Sequence, residues 1–324
     1  MTRFPQELLT HKNKNKMVKI NRRKFICSTA LITGIPGILS SFSRETSGRT
    51  PEGKANKILV GVISNADNPV KDLKIVSDLG FQSCQLSIRT YSPELAKDLA
   101  AALSKYRLKA SSLICSGPGP QKYTFTEGPE TIGLVPREYR AARVERFKQG
   151  IDFCKEAGIP AIQTHFGFIP ENPKDVLYNE FIKTMKPIGE YALKNGIDIY
   201  FETGQETPVT LLRALLDIGT GNVFVNYDTA NLVLYGKSNP VDGLKVLGKY
   251  VRSLHAKDGK YPVNPYELGQ EVPIPTGEVD FPAVITFLKK LNFEGSIIIE
   301  YELANSTSEY LLKTKAYLEK LINS

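Results

Sequence analysis

Four apolar segments in the second half of the chain each end on a side chain able to bind a cation or carry a proton. They are Phe201-Glu202, Tyr227-Asp228, Leu254-His255 and Ile299-Glu300. Three carboxylates and one imidazole make a mostly oxygen donor set. Such a set suits Mn²⁺ first, then Mg²⁺ or Co²⁺, with positions left for substrate oxygens; Zn²⁺ is compatible, but a sulfur-rich structural zinc site is not. Any one of the four could instead be a solvated loop edge or half of an ion pair. Four consecutive strands ending in the same way make coincidence a poorer explanation. Histidine is scarce: His11 lies near the N-terminus, and both remaining histidines, His165 and His255, fall at strand ends. His165, Lys257, Asp258 and Arg89 stand beside these ends as candidates to hold a substrate oxygen. The alternatives are a core or loop role for His165, a rim ion pair for Lys257 and Asp258, and plain surface charge for Arg89. Cys84, Cys115 and Cys154 are scattered without C-x-x-C spacing and read as small core residues.

These ends converge only if the segments are parallel neighbours. The spacing predicts strands over 58–63, 81–88, 108–115, 161–166, 197–202, 223–228, 251–256 and 296–301. Helices are predicted over 69–79, 93–106, 138–157, 174–195, 208–218, 240–249, 281–291 and 306–322. Strand–helix alternation implies parallel strands with crossover helices, and eight units in one domain is the count of a (β/α)₈ TIM barrel. An open doubly wound sheet is the alternative. Ser92-Pro93 and Thr207-Pro208 read as N-caps followed by proline in the first turn, and Gly80, Gly158 and Gly196 as left-handed helix ends. Two long connections, 116–137 and 259–278, follow strand C-termini and are expected to wall the active-site face.

The net charge of +8 does not belong to this domain. Ten of the 42 basic residues, but only Glu7 and Glu45 of the 34 acidic ones, lie in residues 1–50; the remainder carries equal numbers of each sign. A neutral body has no overall field for a polyanion, so no nucleic-acid partner is expected. Residues 1–50 read instead as a leader and linker, with residues 51–324 as the barrel. Asn21-Arg22-Arg23-Lys24-Phe25-Ile26 resembles a twin-arginine export signal, followed by the apolar run 26–39, which is short for a membrane span. The expectation is an exported, periplasmic protein with no stable membrane insertion. Met17 is an alternative start, and the mature chain would begin near 43–56.

Several fragments together carry a resemblance: Gln163-Thr164-His165-Phe166-Gly167, Phe201-Glu202-Thr203-Gly204-Gln205-Glu206, Asn226-Tyr227-Asp228-Thr229-Ala230-Asn231, His255-Ala256-Lys257-Asp258 and Pro275-Thr276-Gly277-Glu278-Val279-Asp280-Phe281. From about residue 57 to 322 the chain resembles the sugar phosphate isomerase/epimerase group of xylose isomerase-like barrels. The resemblance implies that Glu202, Asp228, His255 and Glu300 hold one divalent metal. It implies a sugar isomerase or epimerase that removes a proton next to a carbonyl through a metal-stabilised enediolate, with Glu202 and Glu300 as the catalytic carboxylates. It departs from the ketose 3-epimerases where those enzymes hold the sugar: Asn231 stands in place of a histidine, Tyr261 in place of an arginine, and Pro208 in place of a glutamate, with Glu206 nearby. Asn231 and Glu206 are therefore further substrate-binding candidates. The partner implied is a small sugar or keto-sugar, and a homo-oligomer is left open. The same proton abstraction would serve a 3-keto-glycoside lyase or hydrolase, and a sugar-binding barrel without catalysis is a third reading. A damaged-DNA endonuclease of the same superfamily would require more histidines than this chain has.

Overall fold

The computed structural model describes residues 58–301 and 307–324. The leader, its twin-arginine motif and the expected mature start lie outside the described residues. Eight parallel strands close into a barrel: β1 (Leu59–Asn65), β2 (Ser83–Ser87), β3 (Lys109–Ile114), β4 (Ala161–Thr164), β5 (Asp198–Glu202), β6 (Val223–Asp228), β7 (Val251–Ala256) and, after a small antiparallel pair β8 (Asp258–Lys260) and β9 (Gln270–Val272), β10 (Ser296–Ile299). Closure is made by β1, which pairs with β2 on one side and with β10 on the other, Val62 opposite Ile299. An open doubly wound sheet is thereby ruled out.

The helices are α1 (Pro69–Asp78), α2 (Pro93–Tyr106), α3 (Gly128–Thr131), α4 (Arg140–Ala157), α5 (Val176–Lys194), α6 (Pro208–Ile218), α7 (Thr229–Leu234), α8 (Pro240–Leu247), α9 (Phe281–Lys290) and α10 (Ser308–Asn323). Their starts are set by one repeated device. Asn68, Ser92, Thr207 and Asn239 each accept a backbone N–H of the first turn, and each is followed by proline at the first helical position, where the missing N–H costs nothing. Gly80, Gly158 and Gly196 take the expected positive φ of 71°, 70° and 73°. The barrel strands are apolar and almost wholly buried, as parallel strands covered by helices must be; Ile297, Ile298 and Ile299 are at most 1% exposed. Among the described residues no helix is long and apolar enough to cross a membrane.

Three features differ from the expected pattern, the first being the four-residue helix α3 inside the connection 116–137. Helix α7 is six residues long, too short to show a periodic stripe, and it lies where only a connection was expected. The connection 259–278 is not structureless, because β8 and β9 pair within it. The other long connection, 116–137, is pinned from below by Arg143 on α4. This buried guanidinium donates to the carbonyls of Pro118 (3.0 Å), Gly133 (2.7 Å) and Pro120 (2.9 Å).

Candidate metal centre

Strands β5, β6, β7 and β10 are adjacent in the barrel, and their register holds their C-terminal ends level: Glu202 lies opposite Asn226, Asp228 opposite His255, and His255 opposite Ile298. Glu300 follows β10 directly. Ligand atoms from Glu202, Asp228, His255 and Glu300 all lie within 4.8 Å of one another. His255 is central. Its Nδ1 is 3.2 Å from Glu202 Oε1, 3.7 Å from Asp228 Oδ2 and in close contact with Glu300 Oε2. Its Nε2 is 2.7 Å from Gln85 Oε1 on β2, and the Gln85 amide nitrogen donates to Ser112 Oγ at 2.9 Å. Ser112 thus orients the Gln85 amide to accept from Nε2–H, which leaves Nδ1 as the nitrogen that would give up its proton to a cation held among the carboxylates. A carbonyl partner on the far nitrogen is the usual support for an imidazole ligand.

The electrostatics call for a cation. Burial raises the Asp228 carboxyl to about 7. Burial also acts to raise Glu202, but the imidazoles of His165 and His255 outweigh it and hold this carboxyl below its ordinary value. For His255, burial acts downward, yet the Glu300 and Glu202 carboxylates lift it well above the usual imidazole range. Asp228 divides its two oxygens. Oδ1 accepts the Asn231 N–H at 2.6 Å, capping α7, while Oδ2 is buried without a hydrogen-bond partner on the side of His255. The Gln163 carbonyl oxygen, His165 Nδ1 and both amide atoms of Asn226 are also buried without partners. Three carboxylates, one correctly presented imidazole and an orphaned carboxylate oxygen fit a divalent ion.

The remaining predicted residues divide. His165 Nε2 lies 3.4 Å from Glu202 Oε2, and Asn231 Nδ2 donates to Glu202 Oε1 at 3.2 Å, so both gather at Glu202. Tyr123, from the connection 116–137, packs edge-on to His165 with ring centroids 5.4 Å apart. Lys257 is 3% exposed, and its Nζ lies 3.2 Å from Glu300 Oε1. Glu206 is buried beyond the end of β5 and makes no hydrogen bond to the four-residue group; burial raises its carboxyl to about 8.

Two further substrate-binding candidates are engaged elsewhere. Asp258 accepts the backbone N–H groups of Gly259 (2.9 Å), Gly277 (2.8 Å) and Val279 (3.1 Å), tying both ends of the connection 259–278 together. A Cβ at Gly277 would fall 2.2 Å from Asp258 Oδ1, so this latch requires glycine there. Arg89 is a surface charge: its side chain is 87% exposed, and its Nε pairs with Asp67 Oδ2 at 2.7 Å. Two residues without an assigned role in the sequence reading belong to the site, Gln85 through His255 and Gln163 through a close hydrogen bond to Glu202 Oε2. The available signal was an amide side chain within a strand that barrel closure buries, where it must find a hydrogen-bond partner.

A closed parallel barrel with a carboxylate–imidazole group at the C-terminal ends of its strands defines the class of barrels that carry their chemistry at that mouth. Within that class the chain belongs to the xylose isomerase-like TIM barrel family, whose model matches residues 73–321. Among solved structures it is similar to a xylose isomerase domain protein from Planctomyces limnophilus, at 31% identity over 81% of this chain and 95% of that one, with a TM-score of 0.75. It shares its fold with a D-tagatose 3-epimerase-like protein at 19% identity, covering 82% and 97% of the two chains, with a TM-score of 0.64. Among curated proteins it is 24% identical to the inosose dehydratase of Clostridium botulinum (strain Alaska E43 / Type E3) over 44% of this chain and 54% of that one. The matches to the first curated relatives span between 54% and 63% of those relatives' lengths.

Proposed function

We propose that this protein is a divalent-metal-dependent enzyme that moves a proton next to the carbonyl of a small sugar or keto-sugar. The observation that carries the reading is the meeting of Glu202, Asp228, His255 and Glu300 within one ion's reach at the barrel mouth. A divalent ion held there supplies Lewis acidity to a substrate carbonyl and its neighbouring hydroxyl. The residues of the chain do the rest. Glu202 and Glu300 are the carboxylates that take and return the carbon-bound proton. Hydrogen bonds from Gln163 and Asn231 fix Glu202 in place, and Lys257 fixes Glu300. His165 and Asn231 are the groups placed to meet a substrate oxygen near Glu202. Tyr123 and the pinned connection 116–137 wall that side of the site, and excluding water there strengthens each of these contacts.

Proton return on the opposite face of the same carbon gives an epimer, and return at the neighbouring carbon gives an isomer. A second outcome is elimination: the electron pair left at carbon expels a β-oxygen substituent, as a dehydratase or a 3-keto-glycoside lyase requires. The similarity to an inosose dehydratase favours keeping this route. We further propose that the basic leader exports the protein, which would bring it to free sugars or glycosides; fractionation of cells expressing the tagged full chain, with Arg22 and Arg23 replaced by lysine as control, tests this.

The reaction is tested by incubating the Mn²⁺-loaded protein with free and 3-keto sugars in D₂O and following the products by NMR. Deuterium gained at one carbon, abolished in Glu202→Gln, is expected. A Mn²⁺-binding protein that gives no exchange, epimer or elimination product across the panel would instead be a sugar-binding barrel.

A further inference from the structure

Lys257 follows His255 by two residues and continues β7 into the connection 259–278. Its ammonium sits between two carboxylates, 3.2 Å from Glu300 Oε1 and 3.9 Å from Glu271 Oε2. All three side chains are nearly buried, Lys257 at 3% exposed, Glu271 at 10% and Glu300 at 11%. Glu271 reaches this place because β9 pairs with β8, Gly259 opposite Glu271, and because Asp258 clasps both ends of the connection one residue beyond Lys257.

We propose that Glu271 is a positioning residue of the metal centre, acting through Lys257 on Glu300; this rests on the metal-centre reading given above. The charges explain why such a residue is needed. Three ligand carboxylates exceed a divalent ion by one negative charge, which the Lys257 ammonium offsets. An ammonium attracted by Glu300 alone would compete with the ion for that carboxylate. Glu271 shares the ammonium, so that Glu300 is held by Oε1 and keeps Oε2 on the side of His255. In a dry site such a three-member row is sensitive to loss of an end member, because the charge left behind must find its partner elsewhere. Removing the Glu271 charge concentrates the ammonium on Glu300 and also takes a negative charge away from the ion. Both effects weaken cation binding. The connection that walls the mouth is in this way wired to a metal ligand.

The test is Mn²⁺ titration by calorimetry of the full chain and of Glu271→Gln, Lys257→Met and the double variant, with metal-free thermal melting alongside. Glu271→Gln is expected to bind Mn²⁺ about tenfold more weakly than the unaltered protein, while its metal-free midpoint stays where it was. In the Lys257→Met background the same substitution is expected to change affinity by only about twofold, since the intermediary is gone. Unaltered affinity in Glu271→Gln, or an equal loss with and without Lys257, would overturn the proposal. So would a metal-free midpoint lowered together with the affinity, which would make Glu271 a support of the hairpin only. If the unaltered protein binds no Mn²⁺, the metal centre itself falls; if it binds and Glu271→Gln binds equally well, only this inference falls.

Discussion

Asp228 has two duties that substitution can separate. Its Oδ1 caps α7 through the Asn231 N–H, and its Oδ2 lies 3.7 Å from His255 Nδ1 among the other ligands. Asparagine keeps the first acceptor and removes the charge. Alanine removes both, and loss of the cap alone costs about 1 kcal/mol. Without a cation, three carboxylates crowd one imidazole, and like charges about 4 Å apart repel by about 4 kcal/mol at an effective dielectric constant of about 20. Metal-free Asp228→Asn is therefore expected to be at least as stable as the unaltered protein, while metal-free Asp228→Ala falls below both. An ion at about a thousand times its Kd stabilises the native state by about 4 kcal/mol. For a large domain that corresponds to a rise in Tm of roughly 10 °C. Differential scanning calorimetry in EDTA and in Mn²⁺ reads all of this: a rise of that size in the unaltered protein, and almost none in either variant. The reasoning fails if Asp228→Asn keeps the metal-induced rise, or if it loses as much metal-free stability as Asp228→Ala.

Two further outcomes follow from the supporting residues. Gln85→Leu leaves all four ligands in place but removes the acceptor for His255 Nε2–H; Mn²⁺ affinity is expected to fall by about 10- to 100-fold in a calorimetric titration, and an unchanged affinity would mean that the tautomer is set without Gln85. Glu206, buried and raised to about 8, keeps its proton in the folded state over a range where the unfolded chain has lost it. Its contribution to stability is therefore undiminished below about pH 4.5 and declines as pH rises from there through about 8, by an amount on the order of a few kcal/mol. Glu206→Gln removes the ionisation, so the Tm difference between variant and unaltered protein should be small near pH 5 and grow in the variant's favour toward pH 8; a difference that stays flat contradicts the buried neutral acid.

Local signals account for the elements that were legible. The ranges of α2, α6, β6 and β7 agree with those read from the chain, because a cap and proline mark each of the two helix starts, and Asp228 ends β6 while His255 stands one residue before the end of β7. Elsewhere strand ends moved by a residue or two, since a strand stops where its neighbour's hydrogen bonds stop, as β4 does at Thr164 beside Phe201. Helix α7 escaped because its cap, Asp228, was already accounted for as a ligand and its six residues carry no period. Asp258 and Arg89 look alike in one dimension, each a charged residue just past an apolar run. What separates them from a substrate site is a loop backbone 19 residues ahead for Asp258 and a carboxylate 22 residues behind for Arg89.

The amino-acid sequence alone determined the alternation of strand and helix, the eightfold count, and the identities of the four residues that meet at the mouth. All of these are written in local periodicity and in what stands at each strand end. The tertiary structure alone decided closure between β1 and β10, the orientation of His255 by a glutamine 170 residues away, and the arrival of Glu271 beside Lys257. Those depend on which distant segments share a wall of the barrel, and a side chain's partner across such a distance leaves no mark in the spacing of its own neighbours.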